Sequence, residues 1–245
     1  MEKVGVLGLG RFGLFWSKVL SHGYEVSGWN RSPREDPPCS LVSLEELCRL
    51  PVVFLCVPMR TMRDTLERIA PLLGPDTVVV DTCSVKVKPV EWMLELLPPS
   101  TPILATHPMF GPESGKESVM GLPLMMHPVR LDAARYEGFA HFFRSLGLMV
   151  VEITPEEHDR QAALSQALTH MLGRSLNVMG IDDTPIGTLW YRKLLAICRQ
   201  VAKDSEELFL DMQLLNPYAE AMRRSFEDAW QTVTMEINEA RKDQA

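Results

Sequence analysis

The segment GLGRFG at residues 8–13 constrains this chain most, because it directly follows the apolar run KVGVLGL. A G-x-G-x-x-G pattern between a strand and a helix is typical of a dinucleotide-binding βα unit. Gly8 allows a tight turn, Gly10 lets the main chain approach a pyrophosphate, and Gly13 lets helix and strand pack closely. The helix N-terminus then faces the phosphates with its partial positive charge. We therefore predict a nucleotide site whose turn also includes Leu9, Arg11 and Phe12.

Short β-branched runs alternate with helical patterns over the first 150 residues. A helix is predicted from Phe12 to Leu20, and the strand-like runs are KVGVLGL, YEVSGWN, VVFLCVP, TVVVDT, PILATH and LMVVEIT, with GLPLMMHP as a further candidate. Alternating β and α elements favour a parallel, doubly wound sheet. Residues 1–153 are therefore predicted to form a Rossmann-type α/β domain.

From residue 154 onward the chain shows helical patterns and no convincing strand. Thr154, Pro155 and Glu157 predict a helix start with a capping box. A second helix is predicted over residues 187–215, and Asn216 caps a third. Residues 154–245 are therefore predicted to be an all-α substrate and dimerisation domain.

The third helix carries apolar residues at helical spacing, and they are Tyr218, Met222, Phe226, Trp230, Val233 and Ile237. Three helices of this length cannot bury all their apolar faces against each other. We expect the stripe to pack on a second copy and to give a homodimer. The alternative is that the stripe packs on the first domain.

Composition excludes several classes of protein. The net charge of −7 argues against a nucleic-acid surface, and no apolar run approaches the ~20 residues that a membrane span needs. The five cysteines have no CxxC spacing, and the histidines have no metal-ligand spacing. No basic and apolar leader precedes the first strand. We expect a cytoplasmic protein without a metal site.

The end of the second strand run indicates which nicotinamide cofactor is bound. An NAD site usually has an acidic residue about 20 residues after the glycines, which bonds the ribose 2′-hydroxyl. Asn30 stands there instead, and Arg31 and Ser32 follow. An arginine and a hydroxyl suit a 2′-phosphate, which a carboxylate would repel. This pattern favours NADP. The alternative is that Arg31 is a solvated loop residue and NAD also binds.

Two more strand runs end with residues that suit the ligand side of the sheet, because ligands bind at the carboxyl ends of parallel strands. One run ends at Val57-Pro58, a predicted wall for the cofactor, and the next ends at Thr82 with Ser84 close behind. Cys83 lies between them with no evident base beside it. We interpret Cys83 as a small buried filler and not as a nucleophile.

His107 follows the PILAT run within ATHPMFGPESG, residues 105–115, so it should emerge at the same rim. This segment resembles the signature of the prephenate/arogenate dehydrogenase family. The resemblance extends over nearly the whole chain, through the glycine-rich turn, DTCSVK, HPMFGPESG, EEHDRQAALSQALTHMLGRSL and LLAICRQVAKDSEELFLD. It implies an enzyme of tyrosine biosynthesis.

The resemblance implies an oxidative decarboxylation of a cyclohexadienol. Hydride leaves C4 for the nicotinamide, CO₂ departs, and the ring becomes aromatic. The resemblance gives His107 the role of base for the 4-hydroxyl, which a neutral imidazole suits near its reference pKa of about 6.5. Ser84 is implied to bond either that histidine or the hydroxyl.

The loop after His107 is implied to form a substrate wall and lid. Met109 and Phe110 would exclude water near the ring, and the main-chain N–H groups around Gly111 and Ser114 would meet a carboxylate.

The helix that begins at Thr154 carries Asp159, Gln166 and His170, which share one face at 3.6 residues per turn. The resemblance implies that Gln166 and His170 contribute to the substrate pocket. A solvated helix face is the alternative.

Arg199 lies in the largely apolar run LLAICRQVAKD, where an unpaired charge is costly. By resemblance it grips a substrate carboxylate, although the neighbouring Gln200 leaves the register open by one residue. An internal ion pair with Asp204 or Glu207 is the alternative.

The resulting prediction is an NADP-linked prephenate dehydrogenase, with arogenate, whose side chain carries an amine, as the alternative substrate and tyrosine as a possible feedback ligand. A second hypothesis is a 3-hydroxy acid dehydrogenase with the same Rossmann half. Such an enzyme would depend on a lysine of the helical domain, and the candidates are Lys193 and Lys203. A third hypothesis is an NADP-binding sensor without turnover.

Overall fold

The computed structural model describes residues 2–242, and the chain divides into two compact units, Met1–His158 and Asp159–Ala245. The first unit is a Rossmann-type α/β fold, and the second is helical throughout its described residues. The predicted fold class is confirmed. Among the described residues, no helix is long and apolar enough to cross a membrane.

Eight strands form one sheet in the first unit. They are β1 (Lys3–Leu7), β2 (Glu25–Trp29), β3 (Ser40–Leu41), β4 (Val52–Leu55), β5 (Val78–Asp81), β6 (Ile103–Pro108), β7 (Pro123–Arg130) and β8 (Met149–Glu152). The strand order is β3-β2-β1-β4-β5-β6-β7-β8. All seven of the predicted strand runs are therefore strands, and the two-residue edge strand β3 was not predicted.

The sheet is parallel except between β6 and β7. These two strands are joined by a loop without a helix. Parallel pairing would need a long crossover connection, so β7 returns beside β6 in the opposite direction. The register pairs His107 with Met125 and Met125 with Val151. The end of β8 therefore lies two strands away from His107.

Five α-helices belong wholly to the first unit, and they are α1 (Arg11–Leu20), α2 (Leu44–Cys48), α3 (Met62–Ile69), α4 (Val87–Leu96) and α5 (Ala133–Ser145). Trp16 of α1 is fully buried and stacks on Phe143 of α5 at 5.6 Å between ring centroids. The apolar strands β4, β5 and β6 are buried along their whole length, as expected for the centre of a parallel sheet.

Helix α6 (Pro155–Ala162) crosses from the first unit into the second and continues through a π-helical turn (Ala163–Ala167) into α7 (Leu168–Val178). The Thr154 hydroxyl accepts from the Glu157 main-chain N–H at 3.2 Å, so Thr154 is the predicted cap. The π turn was not predicted. It accommodates one extra residue, which rotates all later side chains by about 100° relative to an unbroken α-helix. The single face predicted for Asp159 and His170 is therefore wrong.

The second predicted helix, residues 187–215, is in fact two helices, α8 (Leu189–Val201) and α9 (Glu206–Leu214). Ser205 starts α9 by accepting from the Leu208 N–H at 3.1 Å, a cap that breaks the longer pattern. The last helix is α10 (Ala219–Lys242). Along its apolar stripe Met222 is buried, whereas Trp230, Val233 and Ile237 are more than half exposed.

Candidate active site

The glycine-rich turn between β1 and α1 has the geometry that a pyrophosphate requires. Gly8 has φ of +100°, and a Cβ on Gly8 would lie 2.5 Å from the Cys56 carbonyl oxygen. A Cβ on Gly13 would lie 1.8 Å from the Gly8 oxygen, whereas a Cβ on Gly10 would meet no described atom within 4 Å. No side chain of the described residues caps the N-terminus of α1 with a hydrogen bond. The turn is therefore packed closely on its inner side and open where phosphate would approach.

Asn30 supports this turn from the end of β2. Its Oδ1 accepts from the Leu9 main-chain N–H at 2.9 Å, and its Nδ2 donates to the Ser32 carbonyl at 2.8 Å. Arg31 and Ser32 are exposed on the loop that follows. The structure thus places Asn30, Arg31 and Ser32 beside the glycine-rich turn. A carboxylate at position 30 could still accept from Leu9 but could not donate to Ser32.

The other predicted cofactor residues lie at the same rim or on the turn. Val57 and Pro58 follow β4 after Cys56. The Thr82 hydroxyl donates to the Leu55 carbonyl at 2.9 Å, so it joins the ends of β4 and β5. On the turn, Phe12 stacks on Trp16 at 5.7 Å between ring centroids. The Arg11 guanidinium lies 3.3 Å from Glu113 in the loop after His107.

Cys83, between Thr82 and Ser84, is buried, and its main-chain N–H donates to Asp81. Burial, followed by the charge of the Asp81 carboxylate, raises the pKa of the Cys83 thiol well above its ordinary value. A protonated, buried thiol is a poor nucleophile. The structure supports the interpretation of Cys83 as a filler.

A buried ion pair between Asp81 and Lys86 lies beneath the rim. Both side chains are fully inaccessible to solvent, and the Lys86 ammonium also donates to the main-chain carbonyl of Thr106. The other Asp81 oxygen accepts from the Thr106 N–H at 3.2 Å, and the Thr106 hydroxyl donates to the Asp81 carbonyl at 2.6 Å. These bonds hold the end of β6 against the end of β5, one residue before His107.

His107 is 3% exposed, and its Nδ1 lies 2.8 Å from Nε2 of His158. His158, itself buried, stands in the first turn of α6. Burial, the adjacent His158 ring and the Lys86 cation hold the pKa of His107 well below its ordinary value. His107 is therefore a neutral imidazole at cellular pH, which is the form that accepts a proton.

The hydrogen bond to His158 decides which ring nitrogen of His107 can act. Within residues 2–242, His158 is the hydrogen-bond partner of His107, and Nε2 has none. When Nδ1 of His107 carries the proton and donates a hydrogen bond to His158, Nε2 of His107 presents a lone pair. Ser84 is half-buried at the same rim but forms no hydrogen bond with His107 among these residues. The implied bond between Ser84 and the histidine is therefore absent, and the role of Ser84 toward a hydroxyl stays a prediction.

Two implications for the loop after His107 differ from the structure. The Gly111 N–H donates to the Ser114 hydroxyl at 3.1 Å, so these two groups satisfy each other and that N–H does not point at a ligand. Phe110 is 8% exposed and packs edge-on to Phe15, with ring centroids 6.2 Å apart. Phe110 is thus a core residue of the α/β unit. Met109 remains half-buried at the rim.

Within the helical unit, Gln166 lies in the π turn and His170 in the first turn of α7. His170 is 8% exposed, and its Nε2 lies 3.7 Å from the Asp204 carboxylate. Burial outweighs that carboxylate and lowers the pKa of His170. The solvated-face alternative is wrong for His170.

Arg199 is exposed on α8, so its charge carries no burial cost that a substrate carboxylate would have to offset. The run is largely apolar, but the buried residues of α8 recur only at every third or fourth position, and they are Leu195, Cys198 and Val201. Two arginines among the described residues of the helical unit are partly buried instead, Arg174 of α7 and Arg223 of α10. The Arg174 Nη2 donates to the Asp204 carbonyl at 3.3 Å, and the Arg223 Nη1 donates to the Gln213 carbonyl at 2.7 Å.

His158 was also missed as a partner of His107. In the sequence, His158 stands out only as a residue in the first turn of a helix that follows a strand. Its nearness to His107 follows only once the antiparallel pairing of β7 with β6 is known. Lys193 is exposed and lies 4.4 Å from the Trp190 ring, and Lys203 is exposed as well, so neither is a buried catalytic lysine. No group of three or more potential metal ligands occurs within residues 2–242.

Comparison with known proteins gives two matching domain families. Residues 40–129 match the prephenate dehydrogenase nucleotide-binding domain, and residues 175–245 match the TYRAAT1-like C-terminal domain. The chain is 38% identical over 249 residues to arogenate dehydrogenase 2, chloroplastic, of Arabidopsis thaliana, covering 96% of this chain and 70% of that protein. It is 33% identical to arogenate dehydrogenase 1, chloroplastic, of the same plant, covering 96% of this chain but 39% of that protein.

Solved structures show the same fold. A prephenate dehydrogenase from A. aeolicus, in complex with hydroxyphenyl propionate and NAD+, superposes with a TM-score of 0.77 at 20% identity, covering 100% of this chain and 93% of the other. A Synechocystis arogenate dehydrogenase superposes with a TM-score of 0.71 at 24% identity, covering 99% and 93%.

Proposed function

The chain belongs to the prephenate/arogenate dehydrogenase family of oxidoreductases, and we propose that it oxidatively decarboxylates arogenate, with prephenate as the alternative substrate. The observation that carries this proposal is His107, a buried, neutral imidazole at the carboxyl end of β6. Its Nδ1 is held by His158, and its Nε2 has no hydrogen-bond partner among residues 2–242. A base in this state suits removal of one hydroxyl proton.

In the proposed mechanism, Nε2 of His107 accepts the proton of the substrate 4-hydroxyl. The C4–H bond breaks as hydride, the bond from the ring to its carboxylate breaks as CO₂, and the ring becomes aromatic as a phenolate. The proton on Nε2 then returns to the phenolate oxygen, which gives the phenol and restores the neutral imidazole. A bound nicotinamide cofactor supplies the hydride acceptor. His158 accepts the hydrogen bond from Nδ1 and so stabilises the imidazolium that forms. Because aromatisation drives the reaction, the chain mainly positions the reactants and holds this one proton.

We propose NADP as the cofactor, with NAD as the alternative. Support comes from the absence of a carboxylate at position 30 and from the exposed Arg31 and Ser32 on the adjoining loop. Asn30→Asp should weaken NADP binding relative to NAD by at least about tenfold, because the new carboxylate would repel the 2′-phosphate. Equal binding ratios in the two proteins would contradict this choice.

The preference for arogenate differs from the prediction of prephenate made from sequence. Arogenate carries an ammonium group where prephenate carries a keto oxygen, so it needs an acidic partner. Asp204 is a partly exposed carboxylate that lies 3.7 Å from His170, within the helical unit. The two Arabidopsis relatives, at 38% and 33% identity, are named arogenate dehydrogenases. Gln166, His170 and Asp204 are the residues we propose to bind the substrate side chain.

We also propose that residues 1–153 bind the cofactor, that residues 154–245 bind substrate and dimerise, and that the enzyme is cytoplasmic. The exposed Trp230, Val233 and Ile237 on α10 support the homodimer. The five cysteines are all free thiols, which suits a reducing compartment. Feedback by tyrosine is retained as a proposal that added tyrosine in the assay below would test.

The deciding experiment measures cofactor reduction by purified protein with arogenate or prephenate and with NAD or NADP. We expect the highest kcat/KM with arogenate and NADP, and an Asp204→Asn variant should lose the preference for arogenate over prephenate. His107→Asn should lose kcat by about 10³-fold while substrate still binds, since general base catalysis contributes ~10²–10⁴-fold. Absence of turnover with all four pairs would refute the proposed function.

A further inference from the structure

The position of the π turn decides where two of the proposed substrate-binding side chains point. The Leu168 N–H bonds the Ala163 carbonyl five residues back, so the turn holds one residue more than an α-helical turn. Gln166 lies within the turn, and His170 follows it in the first turn of α7. Such turns are rare in helices, and a departure from the regular ladder of hydrogen bonds has an identifiable cause. We therefore looked for contacts that fix this turn from outside the helix.

Two buried side-chain amides bond the helix at the two ends of the π turn. Nε2 of Gln213, in α9, donates to the carbonyl of Ala167, the last residue of the turn, at 2.8 Å. Nδ2 of Asn216 donates at 2.8 Å to the carbonyl of Asp159, which precedes the turn. Both amide side chains are buried, where a hydrogen bond is electrostatically stronger than in water. The turn is thus bracketed by two fixed donors.

Neighbouring groups fix which way each amide points. Nη1 of Arg223, in α10, donates to Oε1 of Gln213 at 3.1 Å. Because a guanidinium can only donate, the oxygen of the Gln213 amide faces Arg223 and its nitrogen faces Ala167. In the same way, Oδ1 of Asn216 accepts from the Tyr218 main-chain N–H at 2.9 Å, which leaves its nitrogen for the helix.

The burial pattern of α9 indicates that the Gln213 hydrogen bonds matter. Gln213 is buried, whereas Leu214 beside it is 71% exposed. Burial of an amide is costly unless its polar atoms are hydrogen-bonded, and an apolar side chain would fill the same space without that condition. Both polar ends of Gln213 are bonded, one to Arg223 and one to the π turn.

We propose that Gln213 is a positioning residue for the substrate, and that its bond to Ala167 fixes the π turn at residues 163–167. Without this bond the extra residue can move along the helix into α7. The residues between the old and the new position of the turn then rotate by about 100° about the helix axis, and these include Gln166 and His170. The consequence for substrate binding rests on the proposed function, whereas the position of the turn does not.

The test compares two variants of Gln213 with the wild type in the full chain. Gln213→Met removes the donor at similar volume. Gln213→Glu keeps an acceptor for Arg223, but its carboxylate cannot donate to Ala167. Asn177→Leu is the matched control, because Nδ2 of Asn177 donates to the Cys198 carbonyl at 3.1 Å in the same unit, at the end of α7 far from the π turn.

We measure KM and kcat with arogenate and with prephenate, the dissociation constant of NADP, and crystal structures of the variants. Both Gln213 variants should raise KM by about 10- to 100-fold, the range for loss of one hydrogen bond to a charged group. The value of kcat should fall far less, and NADP should bind as in the wild type, because His107 and the glycine-rich turn belong to the first unit. Asn177→Leu should lower Tm and leave KM unchanged.

The crystal structures of both Gln213 variants should show the π turn displaced from residues 163–167 toward α7. A turn that stays in place in both variants would overturn the proposal, whatever the kinetics show. An unchanged KM in Gln213→Met, or a rise of the same size in Asn177→Leu, would overturn the positioning role. If Gln213→Met does not fold, Gln213→Glu decides alone, since it keeps the contact with Arg223. Failure of the proposed function is a separate outcome, because the wild type would then show no turnover.

Discussion

Loss of the Lys86 ammonium should destabilise the protein more than loss of any surface charge. In Lys86→Met the Asp81 carboxylate stays fully buried and loses its cation, and the Thr106 carbonyl loses a donor. Breaking a buried pair on one side costs about 3–5 kcal/mol of unfolding free energy. For a chain of this size that lowers Tm by roughly 6–20 °C.

The double variant Asp81→Asn/Lys86→Met separates charge from packing. It removes both charges. The asparagine oxygen can still accept from the Thr106 N–H, whereas the Cys83 N–H loses its acceptor. Neutral replacements of buried pairs are often nearly neutral in stability, so we expect the double variant to recover most of the loss. Lys88→Met, which removes an exposed lysine from the same segment, is the control and should change Tm little.

The same variants report on His107, because the Lys86 cation is one cause of its low pKa. The acid limb of the kcat/KM profile should move to higher pH in Lys86→Met, since removal of a nearby cation favours the protonated ring. Calorimetric unfolding and the pH profile are the two measurements. The assignment of a charge pair would be refuted by either of two results. In the first, Lys86→Met lowers the free energy of unfolding by less than about 1 kcal/mol; in the second, Asp81→Asn/Lys86→Met is at least as unstable as Lys86→Met.

Three further predictions concern the base, the pH dependence of stability and the dimer. His158→Leu should lower kcat about 10- to 100-fold with little change in cofactor affinity, because the ring of His107 loses its orientation; unchanged kcat would contradict the role of that hydrogen bond. The folded pKa of His107 lies below the unfolded value, so the unfolded chain takes up a proton that the folded chain does not, and stability should fall as pH falls through about 6.5. Comparison of Tm at pH 7.5 and 5.5 should show a smaller loss in His107→Asn than in the wild type, and equal losses would contradict this. Trp230→Glu should convert a dimer into monomers in sedimentation analysis, and a wild type that is monomeric at high concentration would exclude the dimer.

Elements with strong local signals were predictable from sequence. The glycine pattern located β1 and α1, and the capped start at Thr154 was visible because its cap chemistry is local. The break between α8 and α9 also had a signal, Ser205 as a cap, but helical periodicity on both sides concealed it. The π turn had no signal, because an extra residue in a helix changes no residue type.

Site residues were predictable where a motif carried them and not where tertiary packing decides. His107 stands in a recognisable segment, whereas its partner His158 reaches it only through the antiparallel return of β7. Arg199 and Arg174 both lie in helical patterns, and periodicity alone does not say which arginine the fold exposes. The motif places Phe110 in a loop that is implied to cover the substrate, yet its ring belongs to the core of the α/β unit.

The π turn at Ala163–Ala167 means that the direction in which the side chains of α7 point depends on the number of residues in the turn. Deleting one residue there would restore a plain α-helix, and it would rotate His170 and the rest of α7 by about 100° about the helix axis relative to α6. A change of substrate among descendants of this protein could therefore arise from one lost codon, with every binding side chain still present.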